Sequence, residues 1–492
     1  MSADRLRAAF VAAGYTVDGV AARLGPAASE ALGRQETVPA RRATSGGDAL
    51  DTLVRLFLLQ LPVPQEAASR ALPLDVAVDL GVLYADGDEV HPRLDVRPYA
   101  EDGADPWWVV SDLGTGLDGA GGPLPAEHVL GVGGASTTLA QLTPRAPVGR
   151  TLDVGTGSGV QALHAARHSR EVVGTDVSAR ALQLAGLTAA LSGVPVDLRL
   201  GDLLEPVRGE TFDLVVSNPP FVIGAPADGT RHTYRDSGLP LDTVGARLAG
   251  GAPGLLADGG TLVMLANWVL RDGEQWDERV AGWLPEHGVD ALVVQRETLD
   301  PARYVATWLR DAGERGSPGY LTRYDGWLAA LERDRVAGVG FGFLVARRTG
   351  TDSRLTTLDW PHPVEQPLGP QLAGWLDRQR WLAARVDDAA LAASTVTVAP
   401  DVVQEQLGQP GAEHPKHVVL RQQTGLRRAF GSDTATAALV GACDGTLPVC
   451  TLIAAVQQVL GEDDGTGAGP SSPELLTQAR LLVEAGVLTP SV

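Results

Sequence analysis

The chain has 492 residues, enough for two or three hydrophobic cores, with a net charge of −20 and only two cysteines, Cys443 and Cys450. No third of it carries a basic excess, which argues against a broad free-nucleic-acid footprint, and two cysteines give neither a disulfide framework nor metal-ligand spacing. No basic-then-apolar leader and no apolar run of membrane-spanning length occur, so the expected setting is reducing and cytoplasmic, with no membrane partner.

The first elements read as helical. Leu6, Phe10, Val17, Val20 and Leu24 recur at helical spacing with a break at Gly14, which predicts two short helices. Leu50, Leu53, Val54, Phe57 and Leu58 predict another helix, and one more is expected over 65–71. Tyr84 to His91, centred on Asp86-Gly87-Asp88, predicts a hairpin. Helices with a small wing give a winged-helix-like domain over 1–124, and its acidic balance points to protein contact or scaffolding. Trp107-Trp108-Val109-Val110-Ser111-Asp112 predicts a strand. Its adjacent tryptophans face opposite sides, so they cannot share one stacking platform, and core packing is expected for at least one. A glycine-rich loop follows over 114–122.

Next comes a strand, a glycine turn and a helix. Thr151-Leu152-Asp153-Val154 reads as a buried strand, Gly155-Thr156-Gly157-Ser158-Gly159 as the turn, and 160–170 as the helix. Glycines permit the tight backbone and let a ligand approach it, while a helix start offers unpaired N–H groups. The next strand ends in Asp176, where a doubly wound sheet presents an acid to a ribose. The third strand, 196–200, leads into Gly201-Asp202-Leu203. The fourth ends in Asn218-Pro219-Pro220-Phe221. There the prolines remove backbone donors and fix φ, Asn218 offers an amide, and Phe221 offers a ring face. Taken alone, that tetrapeptide is also compatible with a simple Asn-Pro turn. The glycine turn by itself leaves open a nicotinamide or flavin site and an S-adenosylmethionine (SAM) site. Asp153 directly before the turn is poorly placed beside a diphosphate and well placed near an ammonium group.

In this order, Asp153 to Gly159, Asp176, Asp202 and Asn218-Pro219-Pro220-Phe221 resemble the motifs of class I SAM-dependent methyltransferases. More narrowly, they resemble the amino-methylating branch with an (Asn/Asp)-Pro-Pro-(Tyr/Phe) motif, which includes HemK-type glutamine N5-methyltransferases and small methyltransferase domains. The resemblance spans about 131–348. It implies an α/β, doubly wound, seven-stranded Rossmann-like sheet over 125–350, flanked by mainly helical winged-helix-like regions at 1–124 and 351–492. It also implies SAM as cofactor and no metal. Asp153, Gly155, Thr156, Gly157 and Gly159 would face the methionine portion, Asp176 with Val177 the ribose side, and Asp202 with Leu203 the adenine edge. Asn218, Pro219, Pro220 and Phe221 would grip the acceptor nitrogen, with Asn218 at the junction of donor and acceptor. The implied activity is methylation of a planar amide or amino nitrogen. A protein glutamine is favoured by the charge, and the alternative is an exocyclic base amine, guanine N2 or adenine N6, in RNA or DNA. The partner is thus a macromolecule, with protein or ribonucleoprotein favoured over free nucleic acid. The segment 131–139 matches the small methyltransferase type better than the glutamine enzymes.

After Phe221, the polar insertion 224–242, containing Arg231, His232 and Arg235, reads either as a substrate loop or as an ordinary solvated loop. Further strands are expected at 261–266, 290–295 and 339–346, the last in an antiparallel hairpin. Asn267-Trp268, at the end of the fifth strand, reads equally as a site or a loop pair. Beyond 350, a proline-rich connector over 361–370 leads to a strand at 394–398, helices over 434–443, 447–460 and 473–486, and a flexible link over 461–471.

Overall fold

The computed structural model describes residues 2–100, 105–114, 117–119, 124–220, 222–223, 239–410, 415–463 and 472–491. It forms two compact units, Met1–Ala140 with Ala146–Trp360, and Gln141–Arg145 with Pro361–Val492.

The first unit is organised by one mixed sheet. Its strands are β1 (Val148–Val154), β2 (Ser169–Asp176), β3 (Asp197–Leu200), β4 (Phe212–Ser217), β5 (Leu256–Leu270), β6 (His287–Leu299), β7 (Gly338–Asp352) and β8 (Arg354–Asp359), in the order β8-β6-β7-β5-β4-β1-β2-β3. The expected seven strands therefore become eight. β8 returns parallel to β6, pairing Ala291 with Leu355, so the sheet runs past residue 350. β7 is antiparallel to both β5 and β6, as the hairpin expectation required.

Apolar runs such as Leu214-Val215-Val216 are buried because both faces of the parallel core are covered. Helix α2 (Val160–Ala166) follows the glycine turn as predicted but ends short of residue 170, while α1 (Gly134–Leu142) before β1 and α3 (Ala179–Ser192) after β2 were not predicted. Ser178 caps α3 by accepting from the Ala181 amide, and left-handed Gly193 ends it. β1 lies between β2 and β4, where the strand order reverses. A doubly wound sheet opens its ligand crevice at such a switch point. Register pairs Val154 with Thr175 and with Ser217, and Asp176 with Leu200, so four strand ends stand side by side.

Ahead of the sheet, the break at Gly14 separates helices Ser2–Ala12 and Val17–Gly33, and the hairpin pairs Leu83–Asp86 with Glu89–Pro92. Val63–Pro64 adds a third antiparallel strand. The helical part is richer than predicted, with further helices Val38–Ala43 and Leu74–Asp79 and a π-helical turn at Val54–Leu58.

Both tryptophans of the tandem are buried, on opposite faces of the strand Trp107–Asp112. Trp108 packs on Phe10 at 5.7 Å and donates its indole N–H to the Tyr15 carbonyl at 2.9 Å, whereas Trp107 stacks with Tyr99 and meets the His164 ring edge-on. Trp108→Ala should cost about 3–5 kcal/mol, because it opens a cavity and strands that carbonyl. Denaturant unfolding followed by far-UV circular dichroism should show an earlier transition.

The second unit begins with helices Gly369–Ala383 and Asp388–Ala392. The predicted strand is present at Val396–Val398 and pairs antiparallel with Leu488–Pro490. The three predicted helices are Thr434–Ala442, Val449–Asp463 and Ser472–Ala485, and they bury Leu439, Val449, Leu475 and Val483. Sequence reading missed a three-stranded antiparallel sheet, Val402–Leu407, His417–Gln422 and Ala429–Ser432. Among the described residues, no helix is long and apolar enough to cross a membrane.

Candidate active site

The four strand ends open on a cleft of about 690 Å³ lined by Gly155, Gly157, Asp176, Val177, Asp202 and Asn218, among others. Its floor is the glycine turn. Gly155, Gly157 and Gly159 have φ of 74°, 55° and 86°, a region that side-chain-bearing residues avoid. The Gly155 and Thr156 amides both donate to the Thr175 carbonyl at 2.9 Å, tying the turn to β2. A Cβ on Gly155 or Gly157 would meet no protein atom within 4 Å, so these backbones face open space. Gly159 has another role: its Cβ would press on Ala185 at 3.4 Å, letting the turn approach α3.

Asp176 stands at the C-terminal end of β2. Its Oδ2 accepts from the Gly157 amide at 2.9 Å and its Oδ1 from the Ser178 amide at 2.8 Å. Each oxygen keeps acceptor capacity toward the cleft. Burial raises its pKa above the ordinary carboxylate range, opposed by those amides. Val177 beside it is 60% exposed on the cleft wall, an apolar surface suited to a flat ring. Asp202 and Leu203 form the next wall, and Leu203 holds a left-handed backbone (φ 46°), a conformation that costs about 1–2 kcal/mol in a non-glycine residue.

Asp153 departs from expectation. It is fully buried, does not line the cleft, and accepts from the Thr156 hydroxyl at 2.7 Å. Its position in the turn is therefore that of a brace, and the backbone of Gly155, Thr156 and Gly157, not this carboxylate, borders the cleft. Burial pushes Asp153 up to about 7; the Thr156 hydroxyl opposes that rise and nearby Asp176 adds to it. Its ordinary value is 3.8. Between those values the folded chain keeps a proton that the unfolded chain has lost, so the associated stability is full below the lower value and is lost as pH rises through about 7. Asp153→Asn should flatten this part of the pH dependence, as measured by denaturant midpoints of ligand-free protein from pH ~4 to ~8.

Asn218 begins the loop after β4. Ser217 just before it donates its hydroxyl to the Val154 carbonyl at 2.9 Å, fixing the two strand ends together. Asn218 lines the cleft, and its Oδ1 is buried with no hydrogen-bond partner among the described residues. Buried acceptors are rarely left so. Pro220 also lines the cleft, whereas Pro219 is buried behind it. Phe221 and the insertion residues Arg231, His232 and Arg235 lie outside the described residues. Asn267 and Trp268 are core residues: Trp268 is fully buried and donates to Gln295 Oε1 at 3.0 Å.

Residues 127–136 border the cleft, overlapping the 131–139 segment whose resemblance to small methyltransferases places it over the cofactor, and extending it back to Glu127. His128, Val129, Gly131 and Ser136 line the cleft, and Gln161 of α2 donates to the Ser136 carbonyl at 2.7 Å. Asp112 holds this segment. It accepts from the Val129 amide at 2.9 Å and pairs with Arg180 of α3 at 2.6 Å.

This geometry suits an adenosine-bearing ligand. Glycine backbones facing open space, a half-buried carboxylate at the β2 end and an exposed apolar residue after it suit the methionine, ribose and adenine parts of SAM. The methyltransferase small domain family matches residues 131–278, and domains of unknown function match 12–93 (DUF7059) and 373–490 (DUF7782). The release factor glutamine methyltransferase of Xylella fastidiosa is 40% identical over 130 residues, covering 24% of this chain and 47% of that protein. The ribosomal RNA small subunit methyltransferase C of Alcanivorax borkumensis is 35% identical over 119 residues, covering 24% of this chain and 32% of that protein. The chain thus spans about half the length, or less, of these relatives. The T. thermophilus 16S rRNA N2 G1207 methyltransferase, solved with AdoMet and guanosine, superposes with a TM-score of 0.28 at 18% identity over 45% of this chain and 58% of that one. Residues 131–278, whose strand ends border the cleft, are thus similar to methyltransferase small domains and to release factor glutamine methyltransferases.

Proposed function

We propose that this protein is an N-methyltransferase acting on a planar amide or amino nitrogen of a macromolecule. The observation that carries this reading is the unpartnered, buried Oδ1 of Asn218 on the wall of a cleft floored by the glycine turn. SAM, when bound, supplies a methyl group on a positively charged sulfonium. The open backbone at Gly155 and Gly157 would lie against its methionine portion, Asp176 would accept from its ribose hydroxyls, and Val177, Asp202 and Leu203 would border its adenine. The Asn218 side-chain oxygen and the Pro219 carbonyl would accept the N–H groups of the acceptor. Such a nitrogen is a poor nucleophile because its lone pair is delocalised. Two acceptors pulling on its N–H bonds favour pyramidalisation and aim the lone pair, so these residues work by orientation and electrostatics.

A protein glutamine is the favoured acceptor. The chain's charge is −20, and the charged residues lining the cleft are Glu127, Asp176 and Asp202, with no arginine or lysine among the described lining. Among the described residues of that lining, a phosphate-bearing strand finds no arginine or lysine counter-charge. Similarity to the ribosomal RNA enzyme and the 131–139 segment support the second reading, an exocyclic base amine. The hairpin at 83–92 with its helices supports a winged-helix-like docking region at 1–124, ahead in sequence of a catalytic domain whose sheet runs to Asp359, and the helices of the second unit support another such region after it in sequence. The unpaired thiols Cys443 and Cys450 fit a cytoplasmic setting.

The test is tritium transfer from methyl-labelled SAM into cell lysate, with aliquots then digested by protease or nuclease. Label released by protease and retained after nuclease is expected. Release by nuclease alone removes the protein reading.

A further inference from the structure

Strands β6 and β7 are antiparallel neighbours whose facing ends, Leu299 and Val339, are registered partners. A tight turn would join them. Residues 300–337 stand there instead, forming helices α4 (Pro301–Asp311) and α5 (Tyr320–Arg333). Asp300 caps α4 by accepting from the Arg303 amide at 2.9 Å, and Tyr304, Val305 and Leu309 form its buried face. A long, ordered connection between adjacent strand ends is not required by topology, and such insertions are commonly functional.

The insert takes hold of the exit from the Asn-Pro-Pro loop. Ile223, five residues beyond Asn218, is 1% exposed. Its N–H donates to the Tyr304 hydroxyl at 2.7 Å, and its carbonyl accepts from the Trp327 indole N–H at 2.9 Å. Both backbone groups of this one residue are therefore satisfied by side chains, one from each helix of the insert. Tyr304 and Trp327 are themselves buried and meet edge to face, with centroids 6.1 Å apart. Val222 and Ile223 share an apolar cluster with Val305, Leu309 and Leu331. At the loop's entrance, Ser217 is already tied to the Val154 carbonyl. Asn218-Pro219-Pro220 thus lies between two anchored residues, Ser217 tied to β1 and Ile223 tied to the insert.

We infer that Tyr304 and Trp327 are positioning residues for the acceptor-gripping loop, setting where Asn218 stands relative to the glycine turn without lining the cleft themselves. This rests on the N-methyltransferase reading above. Removing either partner leaves a buried backbone group of Ile223 unpaired, and the loop relieves that by moving. Displacement of a gripping group by about 1 Å is enough to lower turnover severely.

The experiment compares wild type, Tyr304→Phe, Trp327→Phe and a control, Trp268→Phe, in tritium transfer to lysate from cells lacking this enzyme, at saturating SAM. SAM affinity is measured alongside by calorimetry. Trp268 is a comparably buried indole whose bond to Gln295 lies apart from the loop. The two insert variants should lose about tenfold or more in rate while SAM affinity stays within about twofold, and the control should keep its rate. If one insert variant fails to fold, the other decides. Insert variants as active as the control, or SAM affinity falling in step with rate, overturn the positioning role. No transfer by wild type overturns the methyltransferase reading and this role with it, whereas wild-type transfer with indifferent variants overturns the positioning role alone.

Discussion

Asn218→Ala should lower methyl transfer by about 10²–10³-fold while SAM affinity changes by no more than about twofold. The asymmetry follows from where the group points. Asn218 lines the cleft, and its oxygen has no hydrogen-bond partner among the described residues, which leaves it able to accept from a bound acceptor. A bond to the acceptor that strengthens as the nitrogen pyramidalises acts on turnover more than on the ground state. Alanine keeps the strand, since Ser217 still anchors β4 to β1. Single-turnover transfer at saturating SAM, with calorimetry on the same preparations, separates the two quantities. Equal turnover by the variant would remove Asn218 from the mechanism.

Asp176→Ala should act on the other side of the cleft, weakening SAM by about 1–3 kcal/mol, or roughly 5- to 150-fold in Kd. The loss has two parts. The ribose hydroxyls lose a charged acceptor, and the amides of Gly157 and Ser178 lose the carboxylate that fixes the turn against the start of α3. Asp176→Asn is not a mild substitute. Both carboxylate oxygens face backbone donors, so an NH₂ in place of either one meets another donor. Its SAM affinity should fall nearly as far as that of the alanine variant, and calorimetry or equilibrium dialysis measures the pair. An asparagine variant with wild-type affinity would show that the carboxylate is dispensable.

The site was more legible than the fold around it. Glycine turns, caps and strand-ending acids are local signals, each needing one residue type for one backbone task, so Gly155, Gly157, Asp176 and Asn218 could be placed on one crevice before any coordinates. Asp153 was legible as part of that turn, but not its direction. Whether a carboxylate before a glycine turn faces the ligand or the Thr156 hydroxyl is settled by three-dimensional packing. The opposed faces of Trp107 and Trp108 followed from strand alternation alone. The sheet at 402–432 did not show itself because Leu420 is the one buried residue of strand His417–Gln422, which leaves little alternation of apolar and polar residues to detect. Strand β8, with mixed burial and flanking polar residues, was hidden similarly. The role of Tyr304 and Trp327 was beyond sequence reading for another reason. Their partner, Ile223, lies 81 and 104 positions away, a separation that no local pattern encodes.

The most direct measurement is a crystal structure of the protein grown with S-adenosylhomocysteine. The account predicts the ligand in the cleft between Gly155, Gly157 and Asp176, with its sulfur on the side of Asn218. Ligand bound elsewhere, or in that cleft with Asn218 turned away from the sulfur, would contradict it.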